Sequence, residues 1–195
     1  MKIDKGRMEA FSDGVIGIAI TLVVFNMPKP TGIDVAGISN ILINLAVLFV
    51  TFIVVGAEWV KHYALLTHCE VVSKKVIWRN LIYLFFLALE PFFTSWIMEN
   101  PGQIAPAIAY DIVFFGVLLS FYFLKEAVMN ESNEEYKQRY KVNKKRFFPI
   151  VCIYLILTFS VIGISFIYPE ISIVFFILIP VISSLTNLWG ERKEK

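Results

Sequence analysis

Six long apolar stretches alternate with short polar segments along the 195-residue chain. Each is close to the roughly 20 residues that a helix needs to cross a bilayer. Backbone amides cannot stay unpaired in lipid, so helices or closed barrels are the possible spanning structures, and runs this long exclude a barrel. The pattern predicts an all-α membrane protein with one domain over residues 1–195. The predicted transmembrane helices cover residues 8–27, 38–60, 76–98, 104–124, 148–168 and 171–189.

Composition supports a membrane setting. The chain is 57% hydrophobic and 17% charged, whereas ordinary soluble domains are about 45–50% apolar and about 25% charged. The charges cluster between the apolar runs, and a soluble helical bundle would instead spread them along amphipathic faces. We therefore expect a multi-pass protein in a lipid bilayer.

Basic residues predict how the chain is oriented. Of the 18 Lys and Arg residues, 17 lie before the first helix, in or beside the second-to-third and fourth-to-fifth connections, or after the sixth helix. Lys29 alone falls on the other side. By the positive-inside rule, both termini are predicted to be cytoplasmic, and the cell membrane is the expected location.

The first helix begins with polar residues and continues as an apolar run, FSDGVIGIAITLVVF, over residues 11–25. Ser12 or Asp13 could cap the helix N-terminus, where an acceptor and a negative charge are both favourable. A functional role is the alternative, and the local pattern leaves both open. Gly14 and Gly17 form a small face that would let another membrane helix approach closely.

One stripe of the same helix consists of Ile18, Leu22 and Phe25, with Thr21 beside it. These residues recur at helical spacing and share a face. Core packing is the usual explanation of such a stripe. Lining a pore is the other explanation, and the stripe by itself does not separate the two.

The polar start of the first helix resembles a known family signature. RxxxFSD is spelt by Arg7, Phe11, Ser12 and Asp13. This signature is similar to that of the endosomal and lysosomal potassium channel family, in particular its single-repeat prokaryotic members. EWVKH at residues 58–62 resembles the Trp-x-x-His at the end of that family's second helix, and residues 79–97 resemble its third helix.

The resemblance implies a six-helix subunit that assembles as a homotetramer around a potassium pore lined by the first helix. The implied constriction maps to Ile18, Leu22 and Phe25, and a layer of hydroxyls at Thr21 would provide selectivity. The TVGYG filter of ordinary potassium channels is absent from the sequence. A ring of isoleucine side chains can instead close a pore by excluding water.

The signature residues are expected to form a scaffold near the cytoplasmic membrane boundary. An ionisable group at that depth is costly without a partner, and a half-satisfied network would be worse than none. One cluster is therefore predicted to join the first three helices. Its members are Arg7, Phe11, Ser12, Asp13, Trp59, His62 and Asn80.

Three carboxylates in or near the apolar runs support an alternative function. Glu58 is expected to pair with Lys61 near the inner boundary. Glu90 is expected near the outer interface or a water-filled vestibule, with Asp111 at similar depth. Intramembrane carboxylates can act as proton relays, so a proton-coupled or cation-exchanging transporter is the second hypothesis.

Other functions have weaker support. The sequence has no P-loop and no serine-hydrolase motif, so an enzyme is not expected. A membrane enzyme that uses Asp13, His62 and Asn80, or a purely structural subunit, is the third hypothesis. His62, His68 and Cys69 lack structural-zinc spacing. We expect no cofactor, no metal site beyond the permeant potassium ion, and no nucleic-acid partner; the expected partners are lipid and further copies of the chain.

Overall fold

The computed structural model describes residues 4–26, 35–100, 102–138, 140, 156–157, 159–169 and 171. Their principal elements are four long helices and no strands. The helices are α1 (Lys5–Asn26), α2 (Val35–Thr67), α3 (Lys74–Glu99) and α4 (Ile104–Asn130). Among the described residues, three segments are long and apolar enough to cross a membrane: Gly37–Thr67, Lys74–Glu99 and Ile104–Asn130.

Two of the helices extend further than the apolar pattern predicts. Helix α2 continues to Thr67 and α4 to Asn130, beyond the predicted ends at residues 60 and 124. Both extensions contribute to one buried core cluster, α2 through Leu65 and Leu66 and α4 through Val128. Packing between helices therefore prolongs these segments past the point where hydropathy falls.

The predicted fifth and sixth helices, at residues 148–168 and 171–189, lie mostly outside the described residues. Within the fifth, residues 156–157 and 159–165 are helical. The count of six transmembrane helices stays a prediction.

The start of α1 decides one of the open alternatives. The helix begins at Lys5, and the Asp4 carboxylate accepts a hydrogen bond from the Gly6 N–H at 3.0 Å. Ser12 and Asp13 therefore lie inside the helix, where the backbone N–H groups already have intrahelical partners. The interpretation of these two residues as N-terminal caps is wrong.

Helices α3 and α4 pack closely at Gly116. A Cβ atom added at this glycine would lie 2.3 Å from the Phe86 ring on α3, nearer than real contacts allow. Small residues permit this close approach between membrane helices. Helix α1 packs on the other side of the bundle, against α2 and α3, so α3 is the element that all the other helices share.

Candidate functional site

One face of α1 is embedded in the subunit. Met8, Ser12, Ile16 and Ala19 are buried, and their spacing of four, four and three residues places them on one side of a helix. Met8 and Ile16 belong to the core cluster that α2, α3 and α4 share. This face fixes how α1 is rotated in the bundle.

The surface of α1 around Ile18 and Leu22 is apolar and bare. Ile18 is 61% exposed and Leu22 is 51% exposed, and Thr21 lies beside them on the same exposed surface. A Cβ atom added at Gly14 or Gly17 would meet no atom within 4 Å. Within one described chain, no other helix therefore covers the small face or the predicted constriction stripe. The Phe25 side chain lies outside the described residues.

The Thr21 hydroxyl has a fixed orientation. Its Oγ1 donates a hydrogen bond to the Ile18 carbonyl at 3.0 Å. A hydroxyl that donates its proton to its own helix keeps oxygen lone pairs as acceptors. Thr21 can therefore offer an oxygen ligand next to the Ile18 side chain.

A buried hydrogen-bond chain joins α1, α3 and α2. Ser12 Oγ donates to the Met8 carbonyl at 2.8 Å and accepts from Asn80 Nδ2 at 2.8 Å. The Asn80 Oδ1 atom lies 2.7 Å from His62 Nε2. Because the Asn80 amide nitrogen points at Ser12, its oxygen must be the acceptor, so His62 Nε2 carries a hydrogen. The four groups from the Met8 carbonyl to His62 Nε2 are therefore linked by complementary donors and acceptors.

A second contact lies at the surface of the subunit beside this chain. Trp59 Nε1 donates to Asp13 Oδ1 at 2.7 Å. Both residues are exposed in the single chain. The predicted scaffold residues thus form two separate hydrogen-bonded groups, where the sequence predicts one cluster.

Two members of the RxxxFSD signature lie outside these groups. Arg7 is exposed and has no hydrogen bond or ion pair with any described residue, and Phe11 is 53% exposed. Both residues lie on the exposed side of α1. Their place in the scaffold stays a prediction.

The intramembrane carboxylates have different surroundings. Glu58 is buried and forms an ion pair with Lys61, as predicted. The Tyr83 hydroxyl donates to Glu58 Oε2 at 3.4 Å. Sequence reasoning did not include Tyr83, although it lies seven residues before Glu90 and therefore on the same face of α3.

Glu90 does not lie where the sequence predicts. Its side chain is 0% exposed, so it faces neither the outer interface nor a vestibule. Neither of its carboxylate oxygens has a hydrogen-bond partner among the described residues. Asp111 is also fully buried. Burial follows from the packing of α4 over this face of α3, which hydropathy does not reveal.

The residues considered as metal ligands have protein partners instead. His62 contacts Asn80, and the His68 ring stacks on Tyr136 and lies 2.7 Å from its hydroxyl through Nε2. Cys69 is a free thiol whose sulfur donates to the Val71 carbonyl at 3.4 Å. Burial raises the pKa of the Cys69 thiol, which disfavours the thiolate that metals bind.

This chain is similar to known potassium channels over nearly its full length. A family model described as endosomal/lysosomal potassium channel TMEM175 matches residues 7–91. A protein named potassium channel from Chryseobacterium sp. (strain P1-3) is 33% identical over 193 residues, which cover 98% of each chain. Another potassium channel, from Streptomyces collinus (strain DSM 40733 / Tue 365), is 30% identical over 60% of this chain and 61% of that protein.

A solved structure has the same fold. The crystal structure of a lysosomal potassium-selective channel TMEM175 homolog from Chamaesiphon minutus matches with a TM-score of 0.70 and 25% identity, and the match covers 94% of this chain and 97% of that one. The family model spans α1, α2 and most of α3, and so includes both hydrogen-bonded groups. This chain belongs to the endosomal/lysosomal potassium channel TMEM175 family, which is a family of ion channels and not of enzymes.

Proposed function

We propose that this chain is the subunit of a homotetrameric potassium channel in the cell membrane, and that its four α1 helices surround a central pore. One observation carries the proposal: α1 has one face tied into the subunit and an opposite apolar face that no described residue covers. A single helix cannot enclose a pore, so a pore lined by the bare face of α1 requires further copies. Family membership gives independent support for ion conduction.

The proposed gate is the apolar stripe of α1. Ile18 side chains from four copies would form the main constriction, with Leu22 one turn further along and Phe25 beyond it. Such rings exclude water, and an ion cannot pass without its hydration shell or a substitute for it. Gating in this proposal is a change in the distance between the Ile18 side chains.

Thr21 is the proposed selectivity layer. Its hydroxyl donates to the Ile18 carbonyl, so its oxygen is available to the ion. Four such oxygens would replace part of the hydration shell just beyond the constriction. This arrangement favours potassium because a larger cation loses its hydration at lower cost.

The two hydrogen-bonded groups are proposed to hold the gate in place. The chain from Ser12 through Asn80 to His62 fixes the buried face of α1, and the Asp13–Trp59 contact fixes its edge. A rotation of α1 that turned Ile18 away from the proposed pore would have to break these hydrogen bonds. These residues therefore set geometry and do not contact the ion.

The proposed topology has six transmembrane helices in a single domain over residues 1–195, with both termini cytoplasmic. Residues 148–168 and 171–189 supply the fifth and sixth helices. The proposal is supported by the distribution of the basic residues, because an even number of spans keeps 17 of the 18 on one side.

Ion flux through reconstituted bilayers tests the gate and the selectivity layer. Ile18→Asn should raise the leak by at least tenfold, since a polar ring holds water in the constriction. Leu42→Asn is the matched control: Leu42 is 62% exposed but lies on α2, and its substitution should leave the leak unchanged. Thr21→Val should shift the reversal potential under a potassium–sodium gradient towards zero. An unchanged leak for Ile18→Asn would remove this residue from the constriction.

The same reconstituted system separates a channel from a transporter. A channel passes potassium down its gradient without a coupled proton. Saturable flux with a fixed proton stoichiometry, abolished by substitution of Glu58, Glu90 or Asp111, would favour the transporter. Absence of flux under all ionic conditions would favour a structural subunit.

A further inference from the structure

The carboxyl group of Glu90 is buried in the subunit, and neither of its oxygens has a hydrogen-bond partner among the described residues. Glu90 lies 16 residues after the start of α3 at Lys74 and nine residues before its end at Glu99. At 1.5 Å per residue, these separations are roughly 24 Å and roughly 14 Å along the helix axis. Both carboxyl oxygens are buried and unpartnered within the part of the chain that the structure describes.

Lys61, a cation that acts on Glu90, already forms an ion pair with another carboxylate. Glu58 and Lys61 of α2 interact electrostatically with Glu90, but the Lys61 ammonium group forms its ion pair with Glu58. This pair is neutral overall. An ionised Glu90 would therefore add a full uncompensated negative charge to the interior of the bundle.

The other groups around Glu90 do not supply a positive charge. Tyr83 on α3 and Tyr110 on α4 are the further titratable groups that interact with it. Asp111, next to Tyr110 on α4, is acidic and buried. On α1, the charges of Glu9 and Asp13 act on His62, at the cytoplasmic end of the bundle. Tyr83, Tyr110 and Asp111 are neutral when protonated and negatively charged when ionised, so none of the three can supply a positive charge.

An uncompensated carboxylate in a buried, membrane-embedded position is strongly disfavoured, because it has lost its hydration and gained neither a hydrogen bond nor a counter-ion. A neutral carboxyl group lacks the charge and so most of this penalty. We propose that Glu90 is a proton-binding site, at which each subunit holds one proton on the carboxyl group at neutral pH. The proton comes from water, and no other bond is made or broken.

This site is separate from the proposed pore. Glu90 lies between α2, α3 and α4, whereas the bare stripe with Ile18 and Leu22 is on the surface of α1 that faces away from the subunit. The proposal therefore does not rest on potassium conduction. It predicts a titratable group in the subunit whether or not the α1 stripe proves to be the gate.

Infrared spectroscopy of the full chain in lipid nanodiscs at pH 7 tests the proposal directly. Wild-type protein should give the C=O stretching band of a protonated carboxyl group, equivalent to one group per subunit. Glu90→Gln should remove this band. The matched control is Glu99→Gln on the same helix: Glu99 is exposed and accepts a hydrogen bond from Ser95, so its substitution should leave the band intact.

A stability measurement extends the test to a second readout. Raising the pH should lower the melting temperature of the wild type more than that of Glu90→Gln, because deprotonation creates the buried charge only in the wild type. Glu99→Gln should follow the wild type. Equal pH dependence in wild type and Glu90→Gln would contradict the proposal.

Two results would overturn proton binding at Glu90. One is the absence of a protonated-carboxyl band from the wild type at pH 7, which needs no variant and so does not depend on whether Glu90→Gln folds. The other is a melting temperature that rises with sodium or potassium at constant ionic strength in the wild type but not in Glu90→Gln, since this would assign the site to a metal cation. Failure of either kind would leave the Ile18 leak measurement unaffected.

Discussion

Asn80 and Glu90 are two buried polar residues of α3, and the structure satisfies them in opposite ways. The Asn80 amide nitrogen donates a hydrogen bond to Ser12 on α1, and the amide oxygen accepts one from His62 on α2. Neither oxygen of the Glu90 carboxyl group has a hydrogen-bond partner among the described residues. A neutral amide carries a donor and an acceptor and so can link two helices, whereas an ionised carboxylate has acceptors alone and needs a donor or cation nearby.

The difference indicates that two parts of α3 have different roles. Near the N-terminal end of α3, paired polar groups hold α1, α2 and α3 at fixed positions. Further along α3, Lys61 is engaged by Glu58, and in our proposal Glu90 binds a proton. The first arrangement suits a scaffold for the proposed pore helix, and the second suits a site that responds to pH.

Removing Lys61 would leave Glu58, like Glu90, without a counter-ion. This change should have the largest effect on stability. Lys61→Met leaves the buried Glu58 carboxylate without its counter-ion, and breaking a buried ion pair in this way costs about 3–5 kcal/mol. The free energy of unfolding in detergent measures the loss. The double variant Glu58→Gln/Lys61→Met removes both charges and should recover most of that loss. A single variant as stable as the wild type would show that the pair contributes nothing.

Substituting Asn80 would remove hydrogen-bond partners from buried polar groups of the scaffold. Asn80→Leu leaves His62 Nε2 without its buried partner, at a cost of about 1–3 kcal/mol, and removes one of the two hydrogen bonds of Ser12, at a cost of about 1 kcal/mol. We expect a total loss of about 2–4 kcal/mol in the free energy of unfolding, together with weakened tetramer assembly in size-exclusion chromatography. Ser12→Ala is the control: it removes the partner of Asn80 Nδ2 but keeps the contact between Asn80 and His62, so it should cost less, about 1–3 kcal/mol. Equal losses in the two variants would argue against a continuous chain.

The close packing of α3 on α4 should also matter for Glu90, because Phe86 lies one turn before it on α3. Gly116→Ala places a methyl group against the Phe86 ring, and such overpacking costs about 1–3 kcal/mol. Thermal unfolding should reveal this loss. Phe86→Leu in the same chain should restore part of the stability because the ring is then absent. A stable Gly116→Ala protein would mean that the helices separate easily, and Glu90 would then be expected to take up water.

The exposed contact between Trp59 and Asp13 should have the smallest effect. Trp59→Phe keeps an aromatic side chain but loses the hydrogen bond at 2.7 Å, and a single hydrogen bond contributes about 1 kcal/mol. We expect a small change in the free energy of unfolding and a larger change in channel open probability, because this contact lies beside the bare face of α1. The potassium-to-sodium ratio should not change; a changed ratio would place Asp13 in the ion path.

Particular residues show how far the sequence alone predicts the fold. The predicted bounds of the third helix, 76–98, are within two residues of α3 at each end. Ser73 caps the start of the helix, and the sequence Asn100-Pro101-Gly102, which is typical of a turn, follows its end. The predicted end of α2 is seven residues early. Hydropathy falls at Glu58 and Lys61, but these two charges neutralise each other in the structure, so the helix continues past them.

The candidate site shows the same contrast. The signature residues Ser12, Asp13, Trp59, His62 and Asn80 could be selected from the sequence, because polar residues near a membrane boundary need partners. Their division into a buried chain and an exposed pair could not, since it depends on how α1 is rotated. The pairing of Glu58 with Lys61 was predictable from a spacing of three residues on one helix. The isolation of Glu90 was not, because its surroundings come from three helices.

The amino-acid sequence by itself determined that this protein is helical and lies in a membrane, because apolar runs of this length satisfy their backbone groups in lipid as helices. It also determined which polar residues lie in or near the apolar runs and therefore need partners. The tertiary structure decided which of them are paired, which face of α1 is left bare, and that the Glu90 carboxyl group has no hydrogen-bond partner among the described residues. These outcomes depend on the rotation and contact of neighbouring helices, and packing over many side chains fixes both in ways that the spacing along any one helix does not specify.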